Sequence, residues 1–309
     1  MILLKPKFWD SEKITLFSIF LFPITICIKI LFFLKKIFTK KNDFSIPIIC
    51  IGNIYLGGTG KTPLSIELYY ILKKLKKKPA FIRKEYTAFQ DEINLLKKIG
   101  PVYENKKRSK AINEAIKNKF DVAILDDGFQ DFSIKKNLSI VCFNERQWIG
   151  NGLTIPSGPL RENIKSLNRA NYVFINGTKK IEIEKKILRI NNNIKIFYTD
   201  YVLQNIKEFE RKKAICFAGI GNPNNFFDLL KKNNVNVIEE ICFSDHHNYS
   251  KKQLESLVKR SKLSNSILLT TEKDYERISS DFKFEIKYIK AKIKINDQDR
   301  FIDEIKKFI

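Results

Sequence analysis

The stretch Ile51-Gly-Asn-Ile-Tyr-Leu-Gly-Gly-Thr-Gly-Lys-Thr-Pro63 decides the fold of this chain. Ahead of it, Ile46 to Ile51 is an apolar run that reads as a buried strand, with Pro47 tolerated at its start. Behind it, Leu64 to Leu75 has helical periodicity after a proline suited to a first helical turn. A strand, a glycine-rich turn and a helix in this order form a phosphate cradle. Glycines at 57, 58 and 60 let consecutive backbone N–H groups converge on an anion, Lys61 reaches toward outer phosphates and the Thr62 hydroxyl is placed for magnesium. The expected nucleotide-binding residues are Tyr55, Leu56, Gly57, Gly58, Thr59, Gly60, Lys61 and Thr62. Tyr55 stands where the strict pattern has glycine.

Working outward, strand and helix alternate on both sides of a predicted boundary near residue 200. A strand at Pro79 to Arg83 precedes a polar segment, Lys84 to Glu92, and a helix to Lys98. Asp121 to Leu125 is a strand ending on Asp126 and Asp127, and Leu138 to Phe143 and Tyr172 to Ile175 are two more. This is the pattern of a doubly wound parallel sheet. Ile194 to Tyr198 and Val202 read as a bridging hairpin. Beyond it a second, smaller α/β unit follows, with strands at Ala214 to Ala218, Val235 to Ile241, Ile267 to Thr271 and Ile286 to Ile289. The expected division is therefore residues 1–40, 41–200 and 201–309.

The first forty residues differ from the rest. Ile14 to Leu34 is almost all apolar, broken by Pro23 and Lys29 and followed by Lys35, Lys36, Lys40 and Lys41. Such a segment can span a bilayer or lie in its interface, with the lysines keeping the remainder on the cytoplasmic side. It lacks a small-residue cleavage site, which argues against a removable signal peptide.

Lys and Arg number 57 against 34 Asp and Glu, a net charge of +23 over 309 residues. The lysines are spread through the chain with much Ile, Asn and Phe, and no block forms a nucleic-acid stripe. Cysteines at 27, 50, 142, 216 and 242 have no C-x-x-C spacing and read as reduced core residues, which supports neither a zinc site nor a disulfide framework and fits a cytosolic globular part.

Four further groups carry chemistry. Asp126 and Asp127 stand at the carboxyl end of a strand, where parallel sheets place ligands and a carboxylate can anchor magnesium. The only two histidines, His246 and His247, follow Asp245 and suit acid/base partnership or phosphate contact. In Pro156-Ser-Gly-Pro-Leu-Arg-Glu162, Arg161 is offered to phosphate and Glu162 to the metal. Thr271-Glu-Lys-Asp274 is not a guanine-reading order, which favours ATP over GTP.

Taken in order, these segments resemble the lipid A 4′-kinase, or tetraacyldisaccharide 4′-kinase, family. The matching residues are Gly52 to Pro63, Asp126-Asp-Gly-Phe-Gln130, Pro156 to Glu162, Phe217-Ala-Gly-Ile-Gly-Asn-Pro223, Asp245-His-His247 and Leu269 to Asp274. The resemblance implies ATP-dependent, magnesium-assisted phosphorylation of the 4′-hydroxyl of a tetraacyldisaccharide 1-phosphate, giving lipid IVA. It also implies attachment to the cytoplasmic face of the inner membrane through the N-terminal helix. On it Asp91, within Gln90-Asp-Glu92, is the base, His246 its partner and Lys61 the cation on the transferred group. It puts Thr62, Asp126, Asp127 and Glu162 at the metal and Arg108, Gln130 and Arg161 at the acceptor. The family's Ser-Arg-Gly-Tyr-Gly is replaced here by Ile82-Arg-Lys-Glu-Tyr86, with a shorter run before Asp91. The implied partners are the lipid substrate and the inner membrane, with no nucleic acid and no obligate protein partner. A membrane-associated ATPase acting as a conformational switch is the competing reading of the same loop and anchor.

Overall fold

The computed structural model describes residues 6–11, 13–85 and 90–309. Tyr86, in the segment that replaces the family's glycine-rich run, lies outside the described residues, as do the first five residues of the expected N-terminal segment.

The long apolar run folds as two helices, α1 (Leu16–Phe20) and α2 (Phe22–Phe38). Pro23 lies in the first turn of α2, where its missing N–H costs nothing, but it cannot continue the hydrogen-bond ladder from α1. Among the described residues no helix is long and apolar enough to cross a membrane.

The cradle strand β1 (Ile48–Gly52) leads into α3 (Lys61–Lys74), β2 (Pro79–Lys84) and α4 (Gln90–Lys97). Next come β3 (Val102–Asn105), α5 (Arg108–Lys117), β4 (Val122–Asp126) and β5 (Leu138–Asn144). β6 (Tyr172–Asn176), α6 (Ile181–Ile190) and β7 (Lys195–Leu203) follow. The later part holds β8 (Lys213–Ala218), α7 (Pro223–Lys232), β9 (Asn236–Cys242) and α8 (Lys251–Leu263). It ends with β10 (Ile267–Thr271), α9 (Glu272–Tyr275), β11 (Ile286–Ile289), β12 (Ala291–Ile295) and α10 (Gln298–Ile305).

Two sheets result. The larger has the order β12-β7-β6-β5-β1-β4-β2-β3, and β1 runs parallel to both β4 and β5. The chain reverses its direction of winding between β1 and β5, so the cradle follows the strand at the switch point, where open sheets bind ligands. All five residues of β1, of β4 and of β6 are buried, as expected of strands covered on both faces. The smaller sheet has the order β11-β10-β8-β9 with parallel neighbours. The anticipated hairpin near 194–202 is corrected: β7 is one strand, parallel to β6, because its Ile196 and Tyr198 join the same core as α6.

The described residues divide into two compact units: residues 90–98 with Tyr201–Ile293, and residues 6–85 and 99–200 with Lys294–Ile309. This differs from the contiguous division expected from sequence. The helix that carries Asp91 belongs with the smaller sheet, the N-terminal helices are part of the cradle unit, and so is α10. Phe301 explains the last, since it is fully buried and packs edge-on against Phe174 and Phe197 of the large sheet. The cysteines are free, but Cys27 and Cys242 are exposed rather than core residues, one on the outer side of α2 and the other at the end of an edge strand.

Candidate active site

In the cradle unit, the turn after β1 adopts backbone angles that only glycine accepts readily: Gly57 has φ +142° and Gly60, at the N-terminus of α3, φ +88°. Asn53, fully buried, organises the turn. Its Nδ2 donates to Tyr55 O at 2.6 Å, to Gly57 O at 3.3 Å and to Thr59 Oγ1 at 3.0 Å. Of the eight residues expected at the nucleotide, Tyr55 is fully buried, with its side chain turned inward and its hydroxyl donating to Asp10 Oδ1 at 2.5 Å.

The paired acids separate. Asp126 is buried and accepts from Thr62 Oγ1 at 3.3 Å, from Ser65 Oγ at 3.0 Å and from Arg83 Nη1 at 2.9 Å. Asp127 adopts φ +58°, a left-handed conformation that aspartate tolerates, and its carboxylate accepts twice from Arg161 Nη1, at 2.8 and 3.0 Å. Burial pushes the Asp127 carboxyl up, but the charges of Lys61, Arg161 and Arg108 outweigh it and hold its pKa at about 2. Arg108, at the start of α5, donates to Asp127 O at 2.7 Å and to Asp131 Oδ2 at 3.1 Å, while its buried Nε–H has no acceptor among the described residues. Gln130 donates to Asn53 O at 2.9 Å and so braces the cradle. Glu162 is gripped through both oxygens by Arg169 Nη2, at 2.9 and 2.8 Å, and that guanidinium lies over the Phe129 ring.

Thr62, Asp126, Asp127 and Glu162 are thus not assembled as one metal cage. Among the described residues no group of three or more His, Cys, Asp or Glu side chains could hold a metal ion. Each of the three acids is paired with its own arginine, Asp126 with Arg83, Asp127 with Arg161 and Glu162 with Arg169, which directs them apart. Thr62 and Asp126 do meet at the cradle, and a hydroxyl with one carboxylate is a donor set that fits magnesium, which takes its other ligands from phosphates and water.

In the other unit, Asp91 lies at the start of α4 and His246 adopts φ +56° in the loop after β9. His246 Nδ1 lies 3.1 and 3.2 Å from the two Asp91 oxygens. A carboxylate only accepts, which assigns the ring proton to Nδ1. Lys273 Nζ meets Nε2 of the same ring at 3.3 Å, donates to Glu92 at 2.9 Å and lies 3.8 Å from Asp91, with Arg277 Nε at 3.7 Å. Burial raises the Asp91 carboxyl, but its hydrogen bond with His246 and the nearby charges of Lys273, His246 and Arg277 carry it below the usual carboxylate range. His247 points elsewhere, to Gln253 at 3.1 Å and against Phe243. Buried Asp274 ties the surrounding motifs together, accepting from Gly219 N, Tyr249 Oη and Thr271 Oγ1 and pairing with Arg277.

Sequence reasoning missed Asn53, Ser65, Arg83 and Arg277 as working residues. It read Lys273 only as part of a strand end. Its position in Leu269 to Asp274, which recurs beside Asp-His-His in the resemblance, was the available signal.

The tetraacyldisaccharide-1-P 4′-kinase family model matches residues 16–309. A tetraacyldisaccharide 4′-kinase from Pelagibacter ubique is 44% identical over 308 residues, covering 99% of this chain and 98% of that protein. One from Rickettsia bellii is 32% identical over 322 residues, covering 98% of each. A crystal structure of LpxK from Aquifex aeolicus, in complex with ATP, is similar in fold, with a TM-score of 0.72 at 22% identity over 94% of this chain and 99% of that one. Matched in sequence from its first helix to its last residue, the chain belongs to the tetraacyldisaccharide-1-P 4′-kinase family.

Proposed function

We propose that, in the chain's phosphotransfer to the 4′-hydroxyl of a tetraacyldisaccharide 1-phosphate, Asp91 is the base that takes the hydroxyl proton. The observation that carries this is the buried Asp91 carboxylate, held ionised beside His246, Lys273 and Arg277. Phosphoryl transfer asks little covalent chemistry of a protein beyond positioning, charge stabilisation and a place for one proton. Asp91 accepts the proton of the acceptor hydroxyl as its oxygen attacks the γ-phosphorus of ATP, and ADP leaves. His246 fixes the carboxylate's orientation and, with Lys273 and Arg277, holds it ionised and ready to accept the proton.

In the cradle unit, the backbone of residues 55 to 60 surrounds the phosphates and Lys61 meets the transferred group. Thr62 and Asp126 would hold magnesium, which supplies charge neutralisation on the phosphate oxygens when bound. Arg161 and Arg108 are cationic contacts for phosphate, with Asp127 keeping the Arg161 guanidinium in place.

Localisation at the cytoplasmic face of the inner membrane belongs to the same proposal. The N-terminal helices invert ordinary amphipathicity. Ser18 and Thr25 are fully buried on the side facing the protein, whereas Leu16, Phe20, Leu31 and Phe38 are 86%, 78%, 66% and 81% exposed. An exposed apolar face that carries Lys29 and ends on Lys35 and Lys36 suits a helix lying in a bilayer interface beside a lipid acceptor.

The test is incubation with ATP and the monophosphorylated tetraacyl disaccharide in detergent, with phosphorus NMR of the product. A new phosphomonoester at the 4′-carbon is expected from the wild type and not from Asp91→Asn. A wild type that hydrolyses ATP without phosphorylating the lipid would return the reading to a switch ATPase.

A further inference from the structure

Among the described residues, the N-terminal segment reaches the nucleotide cradle through the side chains of Asp10 and Tyr55. Tyr55 takes the place of the first glycine in the strict cradle pattern, so its ring must be accommodated where other such loops have no side chain. The ring is fully buried beneath the turn, and its Cε1 lies 3.5 Å from where a β-carbon on Gly57 would sit. Its hydroxyl donates to Asp10 Oδ1 at 2.5 Å.

Asp10 is itself held. The preceding Trp9 donates from Nε1 to Pro156 O at 3.0 Å and accepts from Asn151 N at 3.0 Å. Gly150 approaches so closely that a β-carbon there would lie 2.1 Å from Trp9 O. The loop that receives Trp9 also grips the cradle, because Leu56 N donates to Pro159 O at 2.8 Å and Arg161 N to Ile54 O at 2.7 Å.

We propose that Asp10 is a positioning residue for nucleotide binding, fixing the Tyr55 ring and through it the Gly57 turn of the cradle. The inference rests on the reading that this turn binds the phosphates of ATP. It gives the segment before the interfacial helices a second task, independent of lipid: the residues that lead into the membrane-facing helix also complete the nucleotide site. A buried tyrosine hydroxyl that loses the Asp10 acceptor is held less firmly, and Gly57 moves with the ring beneath it.

Equilibrium binding of labelled ATP to the full chain in detergent, with no lipid acceptor present, tests this. Asp10→Ala and Tyr55→Phe are each expected to weaken ATP binding by about tenfold, the size expected of a charge-assisted hydrogen bond. Asp10→Asn, which keeps a neutral acceptor, should bind ATP with an affinity between those of wild type and Asp10→Ala. The double variant Asp10→Ala with Tyr55→Phe should lose no more than either single one. At saturating ATP, kcat should be retained, so the defect appears in KM. Wild-type affinity in Asp10→Ala, alongside lost affinity in Lys61→Ala, overturns the proposal and leaves the cradle reading intact. Additive losses in the double variant overturn it also, because the two side chains then act separately. Should Asp10→Ala fail to fold, Tyr55→Phe and Asp10→Asn carry the same comparison. Failure of the wild type to bind ATP overturns the underlying reading instead.

Discussion

His246 Nδ1 lies 3.1 Å from Asp91 Oδ2, across 155 residues of sequence, and Lys273 meets the other nitrogen of the same ring. The contact joins two motifs that are far apart in the chain, and it makes a buried carboxylate ready to accept a proton. Asp91→Asn should therefore lower kcat by about 10²- to 10⁴-fold, the usual worth of a positioned acid or base, while ATP binding is unchanged. Steady-state kinetics with equilibrium nucleotide binding separates the two; equal losses in both would assign Asp91 to binding.

The pH dependence follows from the same pair. Asp91 acts ionised, and its carboxyl lies below the usual carboxylate range, so the acid limb of kcat/KM should fall below that range too. Removing the ring in His246→Ala leaves burial, which raises the carboxyl, opposed only by Lys273 and Arg277. The acid limb then moves to higher pH. An unchanged profile in this variant would detach His246 from the titrating group.

Gly52 ends the cradle strand in contact with the loop of the paired acids: a β-carbon there would lie 2.5 Å from Phe129 Cβ. Gly52→Ala must push apart β1 and the Asp127 loop, neither of which has slack in this core. Loss of ATP binding together with a lowered melting temperature is expected. A fall in stability with normal nucleotide affinity would show that the strain is absorbed away from the cradle.

The N-terminal helices make separable predictions. Replacing Phe20 and Leu31 with glutamate on the outer face should release the chain from anionic vesicles in a sedimentation assay and leave its folding intact. On the inner face, the Thr25 hydroxyl pairs with Ser157 Oγ at 2.7 Å, both side chains buried. Thr25→Val should cost about 1 to 3 kcal/mol in denaturant unfolding by stranding the serine, without weakening vesicle binding. Membrane binding that survives the glutamates would place the attachment elsewhere.

Much of this was readable in the sequence because local chemistry fixed it. Ile46 to Pro63 is a strand, a glycine turn and a helix start whatever surrounds it, and β10 and β11 fall where alternating apolar runs ended on polar turns. What escaped was set by distant packing. The return of α10 depends on Phe301 entering a cluster with Phe174 and Phe197, and nothing in Gln298–Ile305 names that destination. Phe301→Ala should accordingly destabilise the cradle unit by about 3 to 5 kcal/mol, measured by urea unfolding. The partners of the acids were hidden for a similar reason: Arg83, Arg161 and Arg169 look alike in a chain of 57 basic residues, and only the fold assigns each to its carboxylate.

On this mechanism the cradle at Lys61 delivers phosphate to a lipid hydroxyl. The most direct measurement is transfer of labelled γ-phosphate from ATP to the monophosphorylated tetraacyl disaccharide in detergent, comparing wild type with Lys61→Ala. A labelled, doubly phosphorylated lipid is expected from the wild type alone. Equal labelling by Lys61→Ala, or Lys61-dependent release of inorganic phosphate with no labelled lipid, would contradict it.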